Sequence, residues 1–297
     1  MIPFVREIEF EYGRCDQVSP LIRRVIADNP GPFTYTGTGT YVVGRGTVAV
    51  IDPGPDQDGH LQALLAALDG EIVSHILVTH HHSDHSPLAR PLAKVTGATI
   101  HGRRAPHLAE VSPDVMVEAG DDEGFRPDIE IADGAVFEGP GWTLRAVTTP
   151  GHTSNHVCFA LAEENALFSG DHVMGWSTTV ITPPDGDMGD YFASLEKVKA
   201  MGFDTLWPTH GSPVREVEPF IRAYADHRRA REAQVLAALS QGPITIKAMV
   251  PTLYAAVDPR LHAAAAMSVL AHMLLLVKQG RVACAGVAGL DSVYRLA

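Results

Sequence analysis

Hydrophobic and polar positions along the chain change their spacing several times, and each change predicts a different element. Apolar residues recur at helical spacing over 60–68, whereas 72–79 (IVSHILVT) is apolar and β-branched, as expected of a buried strand. The stretch 41–52 predicts two short strands joined by a glycine-containing hairpin. Ser86, followed by proline, predicts a helix N-cap, and Gly97 predicts that helix's end.

The same alternation continues further along the chain. Residues 143–149 predict a strand, and 157–162 with 166–169 predict a pair of strands. A loop at 186–189 should precede a helix over 191–201, while the acidic, Gly/Pro-interrupted stretch 118–133 predicts a solvated excursion. Alternating strands and helices favour a layered α/β or sandwich architecture.

Beyond residue 217 the pattern becomes helical. Residues 219–240 predict one long amphipathic helix, 245–250 the start of a second, and 259–279 a third that is rich in alanine and leucine. The final stretch, 280–295, predicts a small two-stranded hairpin. Three helices followed by a hairpin predict a winged-helix-like domain.

Charge is distributed unevenly between these two parts of the 297-residue chain. Residues 1–217 carry 14 Lys and Arg against 30 Asp and Glu, whereas residues 218–297 carry 9 against 5. Such asymmetry is typical of separate modules. We therefore predict a catalytic domain at 1–217 and a winged-helix-like C-terminal domain at 218–297. The acidic body disfavours nucleic acid as a ligand of the first domain.

Cysteine content and apolar stretches bear on the compartment. The three cysteines are odd in number and show no CxxC spacing, which argues against a disulfide framework and a thiolate metal site. Charges interrupt the N-terminus where a signal peptide needs an unbroken apolar stretch. The apolar stretch 263–277 is too short to span a bilayer. We expect a cytoplasmic protein that does not enter a membrane.

Histidine or aspartate side chains follow four predicted strands, namely 72–79, 143–149, 166–169 and a further apolar stretch, 205–209 (TLWPT). The seven residues concerned are His80, His82, Asp84, His85, His152, Asp171 and His210. In sheet-based folds, function concentrates in the loops at strand ends, where a rigid scaffold positions side chains. His80 and His82 are two apart on an extended segment, so both rings can point to one side. Imidazole and carboxylate ligands without cysteine suit zinc, and also manganese or iron.

These histidines allow other interpretations. A run such as HHH in a chain with 15 histidines can be a surface accident or a nonspecific metal binder. Three further ligand residues at strand ends make that interpretation weaker. His156 neighbours the predicted site, where it would support a ligand from behind or contact the substrate; the alternative is that it has no role there.

Two further groups of residues suggest how a substrate is bound. The loop 173–190 lies beside Asp171 and predicts a mixed apolar pocket lined by Met174, Trp176, Thr178, Thr179 and Met188; alternatively, Trp176 only packs in the core. Four arginines of the first tail helix, Arg222, Arg228, Arg229 and Arg231, predict either a basic face for phosphates or a solvated face paired with Asp226 and Glu232.

Four motifs taken together resemble the successive motifs of the metallo-β-lactamase superfamily. They are THHHSDH at 79–85, TPGHTSNH at 149–156, FSGD at 168–171 and THG at 209–211. The run SGDHVMGWSTTVI and the tail resemble more narrowly the β-lactamase-like protein 2 group, which has a winged-helix-like C-terminal domain. Its best-known member is a mitochondrial endoribonuclease acting on single-stranded RNA, and relatives include thioesterases that release polyketides.

The resemblance implies an αββα sandwich and a role for each ligand residue. His80, His82 and His152 would hold one metal, Asp84, His85 and His210 would hold the other, and Asp171 would bridge the two. Asp52 matches a family aspartate that braces the metal loops. The presence of Asp171 separates this chain from true metallo-β-lactamases, which lack that bridging aspartate.

The expected activity is hydrolysis by a hydroxide held between two divalent cations, with zinc as the metal and Asp84 as both ligand and orienter of the nucleophile's proton. The first candidate substrate is a small acyl compound, namely an ester, thioester or lactone. The alternative is an endoribonuclease or phosphodiesterase acting on single-stranded RNA, with the tail as the RNA-binding module. β-Lactamase activity and a non-catalytic winged-helix regulator are further alternatives. The apolar stretch 270–277 would allow the tail to close over the site or to form a homodimer.

Overall fold

Two β-sheets form the centre of the computed structural model, which describes residues 1–104, 120–255 and 258–297. The first sheet has seven strands in the order β1-β2-β3-β4-β5-β6-β7, with β4 to β7 parallel. Its strands are β1 Cys15–Gln17, β2 Ile22–Ile26, β3 Gly39–Arg45, β4 Thr47–Ile51, β5 Ile72–Leu77, β6 Thr99–Gly102 and β7 Ile129–Glu130. Its helices are α1 Asp58–Ala67 and α2 Ala89–Thr96.

The second sheet has five strands in the order β12-β11-β10-β9-β8. Its strands are β8 Val136–Gly139, β9 Trp142–Thr148, β10 Val157–Leu161, β11 Ala166–Gly170 and β12 Thr205–Pro208. Helices α3 Met188–Met201 and α4 Val217–Leu239 follow β11 and β12. Strand β11 pairs parallel with β12 and antiparallel with β10, while β10 pairs antiparallel with β9, so β9, β11 and β12 all run in one direction.

Alternation along the buried strands assigns the layers. In β10, Val157 and Phe159 pack between the two sheets, whereas Cys158 and Ala160 pack towards α3 and α4. In the first sheet, Val50 packs with residues of α2 in a third core cluster. Both faces of each sheet are therefore covered, which explains strands that are apolar at nearly every position. The arrangement is helix, sheet, sheet, helix, and it confirms the predicted αββα sandwich.

The C-terminal part has a core of its own. It contains β13 Ile244–Thr245, α5 Ile246–Leu253, α6 His262–Lys278, β14 Val282–Cys284 and β15 Val293–Leu296, with a sheet order of β13-β15-β14. Thr245 caps α5, since its side chain accepts a hydrogen bond from the amide of Ala248. The predicted third helix begins at His262, after a single 3₁₀ turn at Pro259–Leu261.

Helix α4 belongs to both cores. Its first half packs Phe220 and Tyr224 against the second sheet, and its second half packs Val235 and Leu239 into the C-terminal core. The predicted boundary at residue 217 coincides with the first residue of this helix. The division into 1–217 and 218–297 stays a prediction.

Two local predictions were wrong at helix starts. Ser86 does not cap α2, because its hydroxyl donates to Asp122 at 2.8 Å and the helix begins only at Ala89. Helix α3 begins within the predicted loop, since the Asp187 carboxylate accepts from the amide of Asp190 and starts the helix at Met188. Gly97 ends α2 as predicted, with a left-handed φ of 77°. Within the described ranges, no helix is both long and apolar enough to cross a bilayer.

Candidate metal centre

The seven predicted ligand residues converge at one end of the sandwich. His80 to His85 follow β5 of the first sheet, while His152, Asp171 and His210 follow β9, β11 and β12 of the second. Because these strands of each sheet run in one direction, their carboxyl ends meet at a common edge. All seven side chains are buried.

Three groups of these side chains have ligand atoms that all lie within 4.8 Å of one another. The groups are His80, His82 and His152; Asp84, His85 and His210; and His80, His85 and Asp171. The first two are the sets predicted for two separate metals. The third joins one member of each set to Asp171, as expected of a side chain placed between them.

In four of the histidine rings, Nδ1 lies within hydrogen-bond distance of a protein oxygen. The partners are Thr79 Oγ1 for His80 Nδ1 (3.0 Å), Asp52 Oδ2 for His85 Nδ1 (2.8 Å), the Val180 carbonyl for His152 Nδ1 (2.7 Å) and the Gly37 carbonyl for His210 Nδ1 (3.2 Å). A ring that donates from Nδ1 leaves an unprotonated Nε2 for a metal. The fifth ring, that of His82, approaches His80 Nε2 with its own Nδ1, at 2.9 Å.

Asp52 fixes the two loops that bring the first and last ligands. Its carboxylate accepts from the amide and hydroxyl of Thr79, both at 2.8 Å, and from the Thr209 hydroxyl at 3.0 Å. It also accepts from His85. Asp52 is fully buried and has a left-handed φ of 49°, a conformation that carries strain in a residue other than glycine. The contacts match the bracing role that the family resemblance implies.

The two carboxylates face the same histidines. Asp84 Oδ2 lies 3.1 Å from His210 Nε2 and 3.4 Å from His85 Nε2. Asp171 Oδ1 lies 3.5 Å and 3.6 Å from the same two nitrogens, and its Oδ2 lies 3.8 Å from His152 Nε2. Asp171 therefore reaches towards both predicted metal positions.

Burial and local charge set the protonation of these groups. Burial and the neighbouring rings lower the pKa of His80 well below its usual value. Burial opposes charge on His210, but Asp171 and Asp84 outweigh it and raise the pKa of His210 to about 10. Burial likewise opposes charge on His85, whose pKa is raised by the same carboxylates and by a third. Burial would raise the pKa of Asp84 and Asp171, yet the facing rings hold it well below the usual value. Without a metal, His85 and His210 are therefore protonated. Cations that bind to these two rings would have to displace a proton from each.

The donor set fits divalent cations. His85 Nε2, His210 Nε2 and Asp171 Oδ1 are buried and make no hydrogen bond within the described residues. A buried polar atom without a hydrogen bond costs free energy, and a cation among these atoms would reduce that cost. Nitrogen and oxygen donors without a thiolate suit zinc, manganese or iron.

His156 supports the loop of Asp171. Its Nε2 accepts the backbone amide of Asp171 at 3.2 Å, and its Nδ1 is 2.8 Å from the Thr149 hydroxyl. A Cβ at Gly170 would lie 2.6 Å from His156 Nε2, so only glycine fits there. Of the two roles left open by the sequence, the contacts match support of a ligand from behind.

A cleft opens beside the ligands. Its lining comprises His82, Asp84, His152 and Asp171 together with Pro32, Phe33, Met174, Trp176, Ser177, Thr178 and Val180. The Trp176 ring stacks on Tyr35, with centroids 4.8 Å apart and planes 11° from parallel. Three of the predicted pocket residues, Met174, Trp176 and Thr178, thus lie on the cleft wall.

Two predicted pocket residues lie elsewhere. Thr179 is buried behind the wall, because its hydroxyl donates to the carbonyls of Asp171 (2.8 Å) and His172 (3.0 Å). Met188 is buried in the core between the second sheet and α3. Thr179 lies between two lining residues, Thr178 and Val180, but its side chain is taken up by backbone carbonyls. Met188 is the first residue of α3 and packs with that helix.

The arginines of α4 do not form a common basic face. Arg228 is buried and donates to a backbone carbonyl, while Arg222 pairs with Glu218. Arg229 pairs with Asp226 and Glu196, and Arg231 donates to the Leu253 carbonyl and lies over the Tyr254 ring. The interpretation as a phosphate-binding face loses its support.

Several contributors to the site had no sequence signal. The carbonyls of Gly37 and Val180 orient ligands as backbone groups, so residue type does not reveal them. Pro32 and Phe33 reach the cleft from the loop before β3. Asp121 belongs to the stretch predicted to be a solvated excursion, whose residues 118 and 119 lie outside the described ranges. Its Oδ1 lies 3.3 Å from His81 Nε2 and 3.4 Å from His82 Nε2.

Comparison with known proteins identifies the family. The metallo-beta-lactamase superfamily matches residues 35–210, and the beta-lactamase associated winged helix domain matches residues 245–287. The lactamase-like protein adaB of Aspergillus niger is 33% identical over 254 residues, which cover 81% of this chain and 74% of adaB. An atrochrysone carboxyl ACP thioesterase of a Cryptosporiopsis species is 34% identical, covering 80% of this chain and 73% of that protein.

Solved structures share the fold over nearly the whole chain. A metallo-beta-lactamase family protein from Thermus thermophilus has a TM-score of 0.76 and 24% identity, covering 95% of this chain and 100% of that one. A beta-lactamase domain protein from Burkholderia ambifaria has a TM-score of 0.80 and 22% identity, covering 100% and 97%. The chain belongs to the metallo-β-lactamase superfamily of metal-dependent hydrolases and carries the winged-helix domain associated with it.

Proposed function

We propose that this protein hydrolyses an acyl thioester at a dinuclear zinc centre. The observation that carries the proposal is the pair of ligand groups joined through Asp171 at the floor of the cleft. His80, His82 and His152 would hold one ion, and Asp84, His85 and His210 the other. Manganese or iron suit the same donors, so zinc is the first choice among three.

The bound cations and the side chains around them would have different roles in hydrolysis. Divalent cations bound there would lower the pKa of water and polarise the scissile carbonyl. Asp84 lines the cleft and stays ionised, because His85 and His210 face it. Its carboxylate can therefore accept a hydrogen bond from the attacking water and orient it. Asp52 and His156 would keep His85 and Asp171 in position.

The composition of the cleft wall favours an acyl substrate. Phe33, Met174 and Trp176 provide apolar and aromatic surface close to the ligands. Such a wall suits an acyl chain or a ring system better than a phosphodiester backbone. Relatives at about one-third identity are named atrochrysone carboxyl ACP thioesterases, which favours a thioester among the ester, thioester and lactone candidates.

The test is a turnover panel on zinc-loaded protein. The substrates are an acyl thioester, a lactone, a β-lactam, an activated phosphodiester and a single-stranded RNA. We expect turnover of the thioester to exceed that of the others, and we expect Asp84→Ala to abolish it in protein whose circular dichroism is unchanged. Hydrolysis confined to the phosphodiester and the RNA would overturn the proposal in favour of the nuclease alternative. Undiminished turnover by Asp84→Ala would overturn the mechanism.

The identity of the metal has a test of its own. Elemental analysis of protein purified from its own cells without added metal should give two zinc ions per chain. A predominance of iron or manganese would contradict the choice of zinc.

The cysteines Cys15, Cys158 and Cys284 are unpaired, which is consistent with the predicted cytoplasmic location. The homodimer stays a prediction. Ala271 and Leu275, in the apolar stretch expected to form it, pack within the chain against the core of the second sheet, α3 and α4.

A further inference from the structure

A loop of ten residues, 171–180, joins the metal ligands to the cleft wall. We name it the cleft loop. It begins with Asp171, lines the cleft with Met174 and Trp176, and ends with Val180, whose carbonyl accepts from His152 Nδ1 at 2.7 Å. One short stretch therefore carries a ligand, orients a second ligand and shapes the substrate wall.

Helix α4 holds the back of this loop with two side chains one turn apart. The Tyr224 hydroxyl accepts the amide of Met174 at 3.2 Å and lies within hydrogen-bond distance of the Met174 and Ser177 carbonyls. Residues four apart lie on the same helix face. Arg228 accordingly reaches the same loop and donates from Nη2 to the carbonyl of Thr179.

Arg228 lies in an enclosed polar site. Only 4% of the residue is exposed, its guanidinium lies 5.5 Å from the centroid of the Tyr191 ring, and its Nη1 is 3.5 Å from the Ser268 hydroxyl of α6. Tyr191 in turn donates to the His172 carbonyl at 2.8 Å. The cleft loop is thus held from the α3 and α4 side along much of its length.

The charge of Arg228 has no carboxylate partner in the described part of the chain. Its neighbour on α6, His272, is buried, and burial together with Arg228 and Arg231 lowers the His272 pKa to about 3, so that ring is neutral. A buried cation without a counterion is costly. The Thr179 carbonyl, the Ser268 hydroxyl and the face of the Tyr191 ring offset part of that cost.

We infer that Arg228 is a positioning residue for the metal centre, acting through Thr179 and Val180 on His152 and Asp171. The Arg228 bond fixes the Thr179 carbonyl, one residue before the carbonyl that orients His152. The Thr179 hydroxyl donates to the Asp171 carbonyl at 2.8 Å, so the same residue also holds the start of the loop. Arg228 thereby joins the helix shared with the winged-helix domain to the ligands.

Zinc affinity tests this role in the full chain. It is measured by competition with a chromophoric chelator for wild type, Arg228→Gln and Arg228→Lys, with the visible spectrum of the Co²⁺-loaded protein as a report of ligand geometry. Arg23→Gln is the control, because Arg23 is also buried and donates to the Ala67 and Gly44 carbonyls, but on the first sheet, where it also pairs with Glu71. Unfolding midpoints are recorded for all variants.

We expect Arg228→Gln to weaken zinc binding about 10-fold and to change the Co²⁺ spectrum, the effect typical of losing a residue behind a ligand. Arg228→Lys, which keeps a donor on a long side chain, should recover part of the affinity. Arg23→Gln should lower the unfolding midpoint but bind zinc as wild type does. Wild-type zinc affinity in Arg228→Gln would overturn the inference, as would an equal loss in Arg23→Gln.

The inference rests on the proposed function for its metal centre but not for its substrate. If wild type binds zinc and fails to hydrolyse thioesters, the proposed substrate is wrong while the affinity comparison still decides the role of Arg228. If Arg228→Gln does not fold, Arg228→Met decides it, because methionine fills similar space without a donor for the Thr179 carbonyl. Weaker zinc binding with an altered Co²⁺ spectrum supports the inference, and wild-type affinity with a wild-type spectrum overturns it.

Discussion

Asp52→Asn replaces one buried carboxylate oxygen by an amide nitrogen, which donates hydrogen bonds and cannot accept them. Asp52 Oδ1 accepts the Thr79 amide, and Oδ2 accepts three donors: the Thr79 hydroxyl, the Thr209 hydroxyl and His85 Nδ1. In asparagine, Oδ1 can keep the backbone bond, while the new NH₂ group faces the three donors. The two hydroxyls can rotate and offer a lone pair, whereas the His85 ring has to lose its proton from Nδ1.

The expected loss of zinc affinity follows from the hydrogen bond between His85 Nδ1 and Asp52, which asparagine cannot replace. A hydrogen bond to a charged group contributes about 1.5–3 kcal/mol, and a tenfold change in affinity corresponds to about 1.4 kcal/mol. Loss of the His85 bond alone therefore predicts zinc binding at the His85 position weaker by about 10- to 100-fold. Without the bond, His85 also adopts the tautomer that places its proton on the nitrogen facing the metal.

The assay is zinc competition with a chelator at pH 7, with urea unfolding of the metal-free protein alongside it. Asp133→Asn is the control, since Asp133 also accepts from a threonine amide (2.8 Å) and hydroxyl (3.0 Å), those of Thr148, but is exposed and pairs with Lys197 rather than with a ligand residue. Wild-type zinc affinity in Asp52→Asn would refute the argument that the carboxylate sets the tautomer of His85. So would an equal loss in the control.

Three further predictions concern other parts of the site. Gly151→Ala should destabilise the fold by about 3 kcal/mol, because φ is 139° and a Cβ would lie 2.4 Å from Tyr191 Cα; an unchanged melting temperature would contradict this. His156→Ala leaves the Asp171 amide without its acceptor and should lower zinc affinity about 10-fold; a chelator titration matching wild type would argue against the role. The pKa of His210 is raised from 6.5 to about 10, so its contribution to stability is full below about pH 6.5 and is lost as pH rises towards 10. The urea midpoint of metal-free protein should fall over that range, and a flat profile would show that the ring is not held by the carboxylates.

The ligand residues were predictable because their signal is local. A strand that ends in histidine or aspartate places that side chain at the sheet edge, whatever the rest of the fold does. Asp171 and His210 could be recognised in this way although they lie far from His80 in the chain. Gly97 could also be assigned, since a left-handed helix end favours glycine.

The failures share a different origin. Ser86 has the residue type of an N-cap, but Asp122 from a distant segment accepts its hydroxyl. Thr179 lies in the right loop, yet its side chain bonds to the backbone behind the cleft wall. Arg228 has the charge of a surface residue and lies beneath the cleft loop. In each case a tertiary partner competes with the local preference, and the partner is encoded elsewhere in the chain.

The division of the ligands between the sheets has a mechanical consequence. The run that follows β5 belongs to one half of the sandwich, and the residues after β9, β11 and β12 belong to the other. The two groups of ligands come together only where both halves are packed. If cations bind there as proposed, they would link the two halves and stabilise the packed sandwich by mass action. Chelation should therefore speed amide hydrogen exchange in both sheets near this edge, rather than in one loop alone.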